Sequence, residues 1–115
     1  MSFVYKPPTE WIAPDVFPTE LLCQAKEIAI DLETRDPHLK ELGPGYIRGD
    51  GEAVGISFAI DGYENYFPFA HESGFNFSKK KVLEFTRKIC ATESDKVFHN
   101  STYDVGWLTH HGVPI

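Results

Sequence analysis

Hydrophobic and polar positions alternate most sharply in "EIAIDLET", Glu27 to Thr34. Side chains on a strand point alternately to its two faces, so Ile28, Ile30 and Leu32 share one face while Asp31 and Glu33 share the other. The pattern predicts a core strand carrying two like charges. Neighbouring carboxylates raise each other's pKa and lose hydration on burial unless a cation sits between them. The stretch therefore predicts a compensating group.

The rest of the chain divides by the same criterion. Residues 1–18 hold four of the eight prolines and predict an extended N-terminal arm anchored by Trp11 and Phe17. Pro18 to Lys26, "PTELLCQAK", has a proline start and suits a short helix. Arg35 to Glu52 is rich in Gly, Pro and charge and predicts a long loop, which in a compact domain is usually functional or mobile. "AVGISFAI" and "ENYFPFA" flank Asp61-Gly62 and predict a hairpin. Ser78 caps a helix over "KKKVLEFTRKIC", with Val82, Phe85 and Ile89 on one face. "KVFHN" predicts a short strand and "STYDVGWLTHHG" a helix ending at Gly112. The order β-β-β-α-β-α implies a three-strand antiparallel meander, then a helical crossover to a strand parallel to the first.

Composition narrows the class. The 115 residues suffice for one small domain and are globular in character, 42% hydrophobic and 24% charged, and the 14% aromatic content favours a sheet. A net charge of −6 argues against holding nucleic acid by bulk electrostatics alone, although divalent metals let an acidic chain act on phosphates. Cys23 and Cys90 lie in no metal-ligand spacing and read as two thiols of a reducing compartment. The start "MSFVYKPPTEW" has no signal pattern and no apolar run approaches a membrane span, so the expectation is a soluble, cytoplasmic protein with no membrane partner.

Three carboxylates carry the candidate chemistry: Asp31 and Glu33 on the first strand and Asp104 early in the last helix. With the fourth strand beside the first, its C-terminal end brings Asn100 and Asp104 toward the Asp31/Glu33 face. Converging hard oxygens suit Mg²⁺ or Mn²⁺, and two such ions can activate a water and stabilise the leaving oxygen of a phosphodiester.

"IAIDLET" resembles the first motif (DxE) of the DEDD 3′–5′ exonucleases, and "FHNSTYDVGWL" resembles their second (NxxxD). Spacing and the intervening "GEAVGISFAI…ENYFPFAHE" are similar to the proofreading domain of family A DNA polymerases, particularly those of phages. The resemblance covers about Ala25 to Ile115. It implies an α/β, RNase H-like (DnaQ-like) fold, with residues 19–115 forming part of an exonuclease domain. It also implies a two-metal site in which Asp31 bridges both ions, Glu33 binds the first and orients the attacking water, and Asp104 serves the second. Asn100 and the backbone at Thr34 would meet the 3′ end of single-stranded DNA. The implied location is the cytoplasm, or host cytoplasm for a virus.

The chain departs from that pattern. Pro37 stands where such polymerases often have a leucine wedge. The third motif, a Tyr or His four residues before a final Asp, is absent, since Asp104 is the last acidic residue. The expectation is an N-terminal part of the domain, weak or inactive alone, whose partners are the polymerase domain or the missing C-terminal half. An incomplete sheet with an open edge also predicts self-association.

Plainer alternatives stand beside these. Ser101 and Asp104 could form a capping-box variant. Lys79 to Lys81 read as a solvated helix start; Tyr46 and Arg48 either contact nucleic acid or pack their own loop down. His71, His99, His110 and His111 share no ligand spacing, and Tyr103 and Trp107 read as core packing. Rival functions are an RNase D-like exonuclease acting on RNA and a non-catalytic module that binds DNA or a polymerase.

Overall fold

A computed structural model describes residues 17–115. The elements are α1 (Thr19–Cys23), β1 (Glu27–Arg35), α2 (Leu39–Leu42), a 3₁₀ turn (Gly45–Ile47), β2 (Glu52–Ile60), β3 (Tyr63–Pro68), α3 (Lys79–Cys90), β4 (Asp95–Phe98) and α4 (Ser101–His110). One mixed sheet has the order β3-β2-β1-β4. β1, β2 and β3 pair antiparallel and β4 runs parallel to β1, so this α/β architecture has the expected meander and crossover.

The alternation along β1 sorts residues as expected. Ile28 and Ile30 are buried in a core with Ile56, Phe58 and Phe67, which α3 covers with Val82, Phe85 and Ile89. Ser78 Oγ accepts the Lys81 N–H at 3.4 Å and caps α3. Ile60 pairs with Tyr63 across Asp61-Gly62, where Gly62 alone supplies the positive φ of the turn. Leu108 and Val113 close the core from the C-terminal segment, and Gly112 at φ +81 ends α4.

Three boundaries differ from the expectation. The first helix spans only Thr19–Cys23. The segment from Arg35 to Glu52 is not irregular throughout: the last residue of β1, the single turn α2 and a 3₁₀ turn occupy much of it. It is held by Asp36 Oδ2 accepting the Gly45 N–H at 3.0 Å. β4 begins at Asp95 and stops at Phe98, because Asn100 is already the N-cap of α4. Of the expected arm, residues 1–16, including Trp11, lie outside the described residues. Phe17 packs into the core, with its ring 5.4 Å from that of Phe67 and 5.0 Å from that of Phe85.

Cys23 and Cys90 are free thiols, and burial pushes Cys90 up to about 11, so it is protonated and unreactive at neutral pH. Among the described residues no helix is long and apolar enough to cross a membrane.

Candidate active site

The sheet has one helix-covered face and one open face. Asp31 points to the open side, paired with Ser57 on β2, and lines a hollow of about 400 Å³ with Ala29, Ala59, Val97 and His99. Val97 is 45% exposed there. Glu33, two residues along β1, has the same parity and is half-buried. Immediately after it the β1–β2 register shifts: Glu33 pairs with Gly55, but Thr34 pairs with Ala53. Such a bulge re-aims the side chains beyond it, and bulges recur next to active sites.

β4 lies beside β1 and ends level with Ile30, so the chain enters α4 next to the Asp31 end of β1. Asp104, in the first turn of α4, is 3% exposed. Its Oδ2 accepts the Asn100 backbone N–H at 3.3 Å, so Asp104 caps the helix in part, although the N-cap residue is Asn100 and not Ser101. Burial lifts the Asp104 carboxyl to about 6; the Asp31 charge adds to the rise, while the Asn100 amide and His99 oppose it. Asp31 is raised as well, chiefly by burial and against the pull of His99 and the Leu32 amide. His99 thus pulls on both carboxylates, and the Asp31 charge reaches Asp104.

Carboxylate oxygens raised by burial are the hard donors that a divalent cation takes. The fit is incomplete: among the described residues no group of three or more His, Cys, Asp or Glu side chains is placed to hold a metal ion. What is assembled is the pair Asp31 and Asp104, with Glu33 further along the same strand.

Thr34 is locked rather than loose. Tyr103 Oη donates to Asp36 Oδ2 at 2.9 Å, and having a single proton it accepts from Thr34 Oγ1 at 3.0 Å. The chain Thr34–Tyr103–Asp36 ties the end of β1 to α4 and to the turn at Gly45, so Tyr103 is a polar clasp and not simple core packing. Burial raises the Tyr103 phenol, and the Asp36 carboxylate adds to that rise. Asn100 is exposed at the mouth of α4.

Tyr46 and Arg48 engage their own surroundings. The Tyr46 ring sits edge-on to buried Trp107, 5.6 Å away, and fills the space at Gly106, where a Cβ would stand 2.2 Å from its Cζ. Arg48 donates to the carbonyls of Leu42 and Gly43 at 2.6 and 3.1 Å and pairs with Asp50 at 3.4 Å. The structure does not bring either of them into the Asp31/Asp104 cluster. It does place His99 there, which spacing alone did not single out; the signal was its position directly after β4.

No protein-family model matches the chain. Over 108 residues it is 41% identical to a DNA-directed DNA polymerase of Pseudomonas phage M6, an alignment covering 91% of this chain and 16% of that protein. The chain is thus related in sequence to a phage DNA polymerase and spans 16% of that relative's length.

Proposed function

We propose that the chain is part of the 3′–5′ exonuclease, or proofreading, domain of a DNA polymerase, with an RNase H-like fold. The observation that carries this reading is the placement of Asp104, 3% exposed in the first turn of α4, where the short β4 delivers it to the end of β1 that carries Asp31. The sheet order β3-β2-β1-β4 and the phage polymerase relative support it from two other sides.

In this reading Asp31, Glu33 and Asp104 hold Mg²⁺ or Mn²⁺ in the complete domain. The bound ions supply charge stabilisation at the scissile phosphate and a more acidic water. The chain's own residues do the positioning. The short β4, parallel to β1, starts α4 beside the Asp31 end of β1 and so brings Asp104 toward Asp31. The Thr34–Tyr103–Asp36 clasp fixes the backbone where a 3′-terminal nucleotide would lie. Asn100, exposed at the start of α4, would contact the same strand. The product would be a nucleoside monophosphate released from single-stranded DNA. The third acidic motif of such enzymes is not among these 115 residues, so full activity is proposed to need the C-terminal half of the exonuclease domain or the polymerase domain as partner.

A binding measurement tests this without requiring turnover. Fluorescence anisotropy with a single-stranded DNA bearing a free 3′ hydroxyl should give tighter binding in Mn²⁺ than in EDTA. Asp31→Ala should remove that difference. Equal binding of an RNA of the same sequence would favour an RNA exonuclease, and binding unaffected by metal would leave a non-catalytic DNA-binding module.

A further inference from the structure

Tyr66 is 1% exposed although it points to the open face of the sheet, in register with Ser57 and, through it, with Asp31. Its ring does not stand upright in that row. A Cβ built on Gly55 would lie 1.9 Å from Tyr66 Oη and 2.3 Å from Cζ, so the ring leans across β2 and places its hydroxyl directly over Gly55. Only glycine leaves room for this. Gly55 is the cross-strand partner of Glu33. Directly paired residues of an antiparallel ladder lie about 4.5–5.5 Å apart at Cα, so the hydroxyl sits over the position that faces Glu33 across the ladder.

Behind the phenol stands His71, with Nε2 2.5 Å from Tyr66 Oη. His71 is itself fixed: its N–H donates to Asn76 Oδ1 at 2.9 Å, and Asn76 Nδ2 donates back to its carbonyl at 3.0 Å. Arg35, the last residue of β1, donates to the Ala70 carbonyl at 2.7 Å and so ties this turn to the Glu33 strand. Nothing in the Asp31/Asp104 cluster requires any of these groups.

We infer that Tyr66 and His71 are positioning residues for Glu33. His71 Nε2–H donates to Tyr66 Oη, and Tyr66 Oη–H donates to the Glu33 carboxylate. The direction follows from proton count. The phenol has one proton; if it is given to Glu33, the His71 bond needs its proton on Nε2, which is the neutral tautomer with Nδ1 bare. Burial and the nearby Arg35 lower the His71 pKa and so favour its neutral form. A carboxylate oriented in this way presents its remaining lone pairs in one direction, as outer-shell donors do for metal-binding carboxylates. The inference deepens the exonuclease reading and rests on it only for the role of Glu33, not for the hydrogen-bond chain.

The test combines ¹⁵N NMR of the His71 imidazole with Mn²⁺ titration of the 115-residue chain. The wild type should show Nε2 protonated and Nδ1 bare. Glu33→Ala should free the phenol to donate to His71 and shift the tautomer to Nδ1–H. Tyr66→Phe, which keeps the ring over Gly55, should weaken Mn²⁺ about 10-fold, as loss of an outer-shell partner does. His71→Gln probes the far end of the chain if Tyr66→Phe fails to fold, and should weaken Mn²⁺ in the same direction. A bare Nε2 in the wild type, or His71 signals indifferent to Glu33→Ala, would overturn the inference. Should Glu33→Ala leave Mn²⁺ affinity unchanged while the tautomer still responds, the hydrogen-bond chain stands and the metal role of Glu33 falls.

Discussion

At Asp104 a charge is held where burial disfavours it. Its carboxyl titrates near 6 when folded, against an ordinary 3.8, so at neutral pH the folded state carries an ionised group it would sooner protonate. As pH falls through 6 the folded chain takes up a proton that the unfolded chain refuses until about 4, and this residue then favours folding. Asp104→Asn should therefore stabilise the metal-free protein at pH 7 by about 1–2 kcal/mol, after discounting for solvent screening, and should abolish divalent binding. Urea unfolding and a Mn²⁺ titration check the two halves. His111 works in the opposite sense. Its Nε2 accepts the Ala53 N–H at 3.2 Å, and burial, with Lys79 and His110 adding to it, lowers its pKa to about 4. The unfolded imidazole gains its proton near 6.5, so stability contributed here is present above that pH and drains away as pH falls from 6.5 to 4. His111→Gln should flatten that loss, on the order of 1–2 kcal/mol, in unfolding curves taken at pH 7 and pH 4.5. Asp31, Glu33 and Asp104 were legible as candidates in the sequence, because parity marks the first two and motif spacing the third. Tyr66, His71 and His99 were not, since what recruits them is a ring leaning over a glycine and the end of a parallel strand.

Among the elements, β1 and α4 are coupled by single hydrogen bonds whose loss can be weighed. Tyr103→Phe would leave the Thr34 hydroxyl without this partner and Asp36 Oδ2 with only the Gly45 amide. The expected cost is about 1–2 kcal/mol, with faster amide exchange across residues 36–50 as the local signature. Within α3, Phe85 packs at 5.2 Å from Phe58 and 5.5 Å from Phe67, so Phe85→Ala should cost about 3–5 kcal/mol. α3 was readable in advance because its 3.6-residue period and serine cap agree. The 35–52 segment was not, because α2 and the 3₁₀ turn are too short to show a period. Tyr46, Asp36 and Arg48 hold it from outside any local pattern. The bulge after Glu33 was equally invisible, being a property of how two strands pair and not of either one alone.

For the molecule as a whole, the crossover from β3 through α3 to β4 is what creates a candidate site. It delivers α4 to the end of β1 and brings Asp104 within electrostatic reach of Asp31, residues far apart in the chain. That topology followed from element order and the known preference for short, right-handed connections. What the assembled pair does is decided most directly by calorimetric titration of Mn²⁺ into the wild type and into Asp31→Ala at pH 7. Saturable binding that disappears in Asp31→Ala is the expected result, and it would identify the carboxylate pair as a cation site. Absence of binding to a folded wild type, or equal binding by both proteins, would contradict it and leave Asp31 as a tolerated charge on an open sheet face.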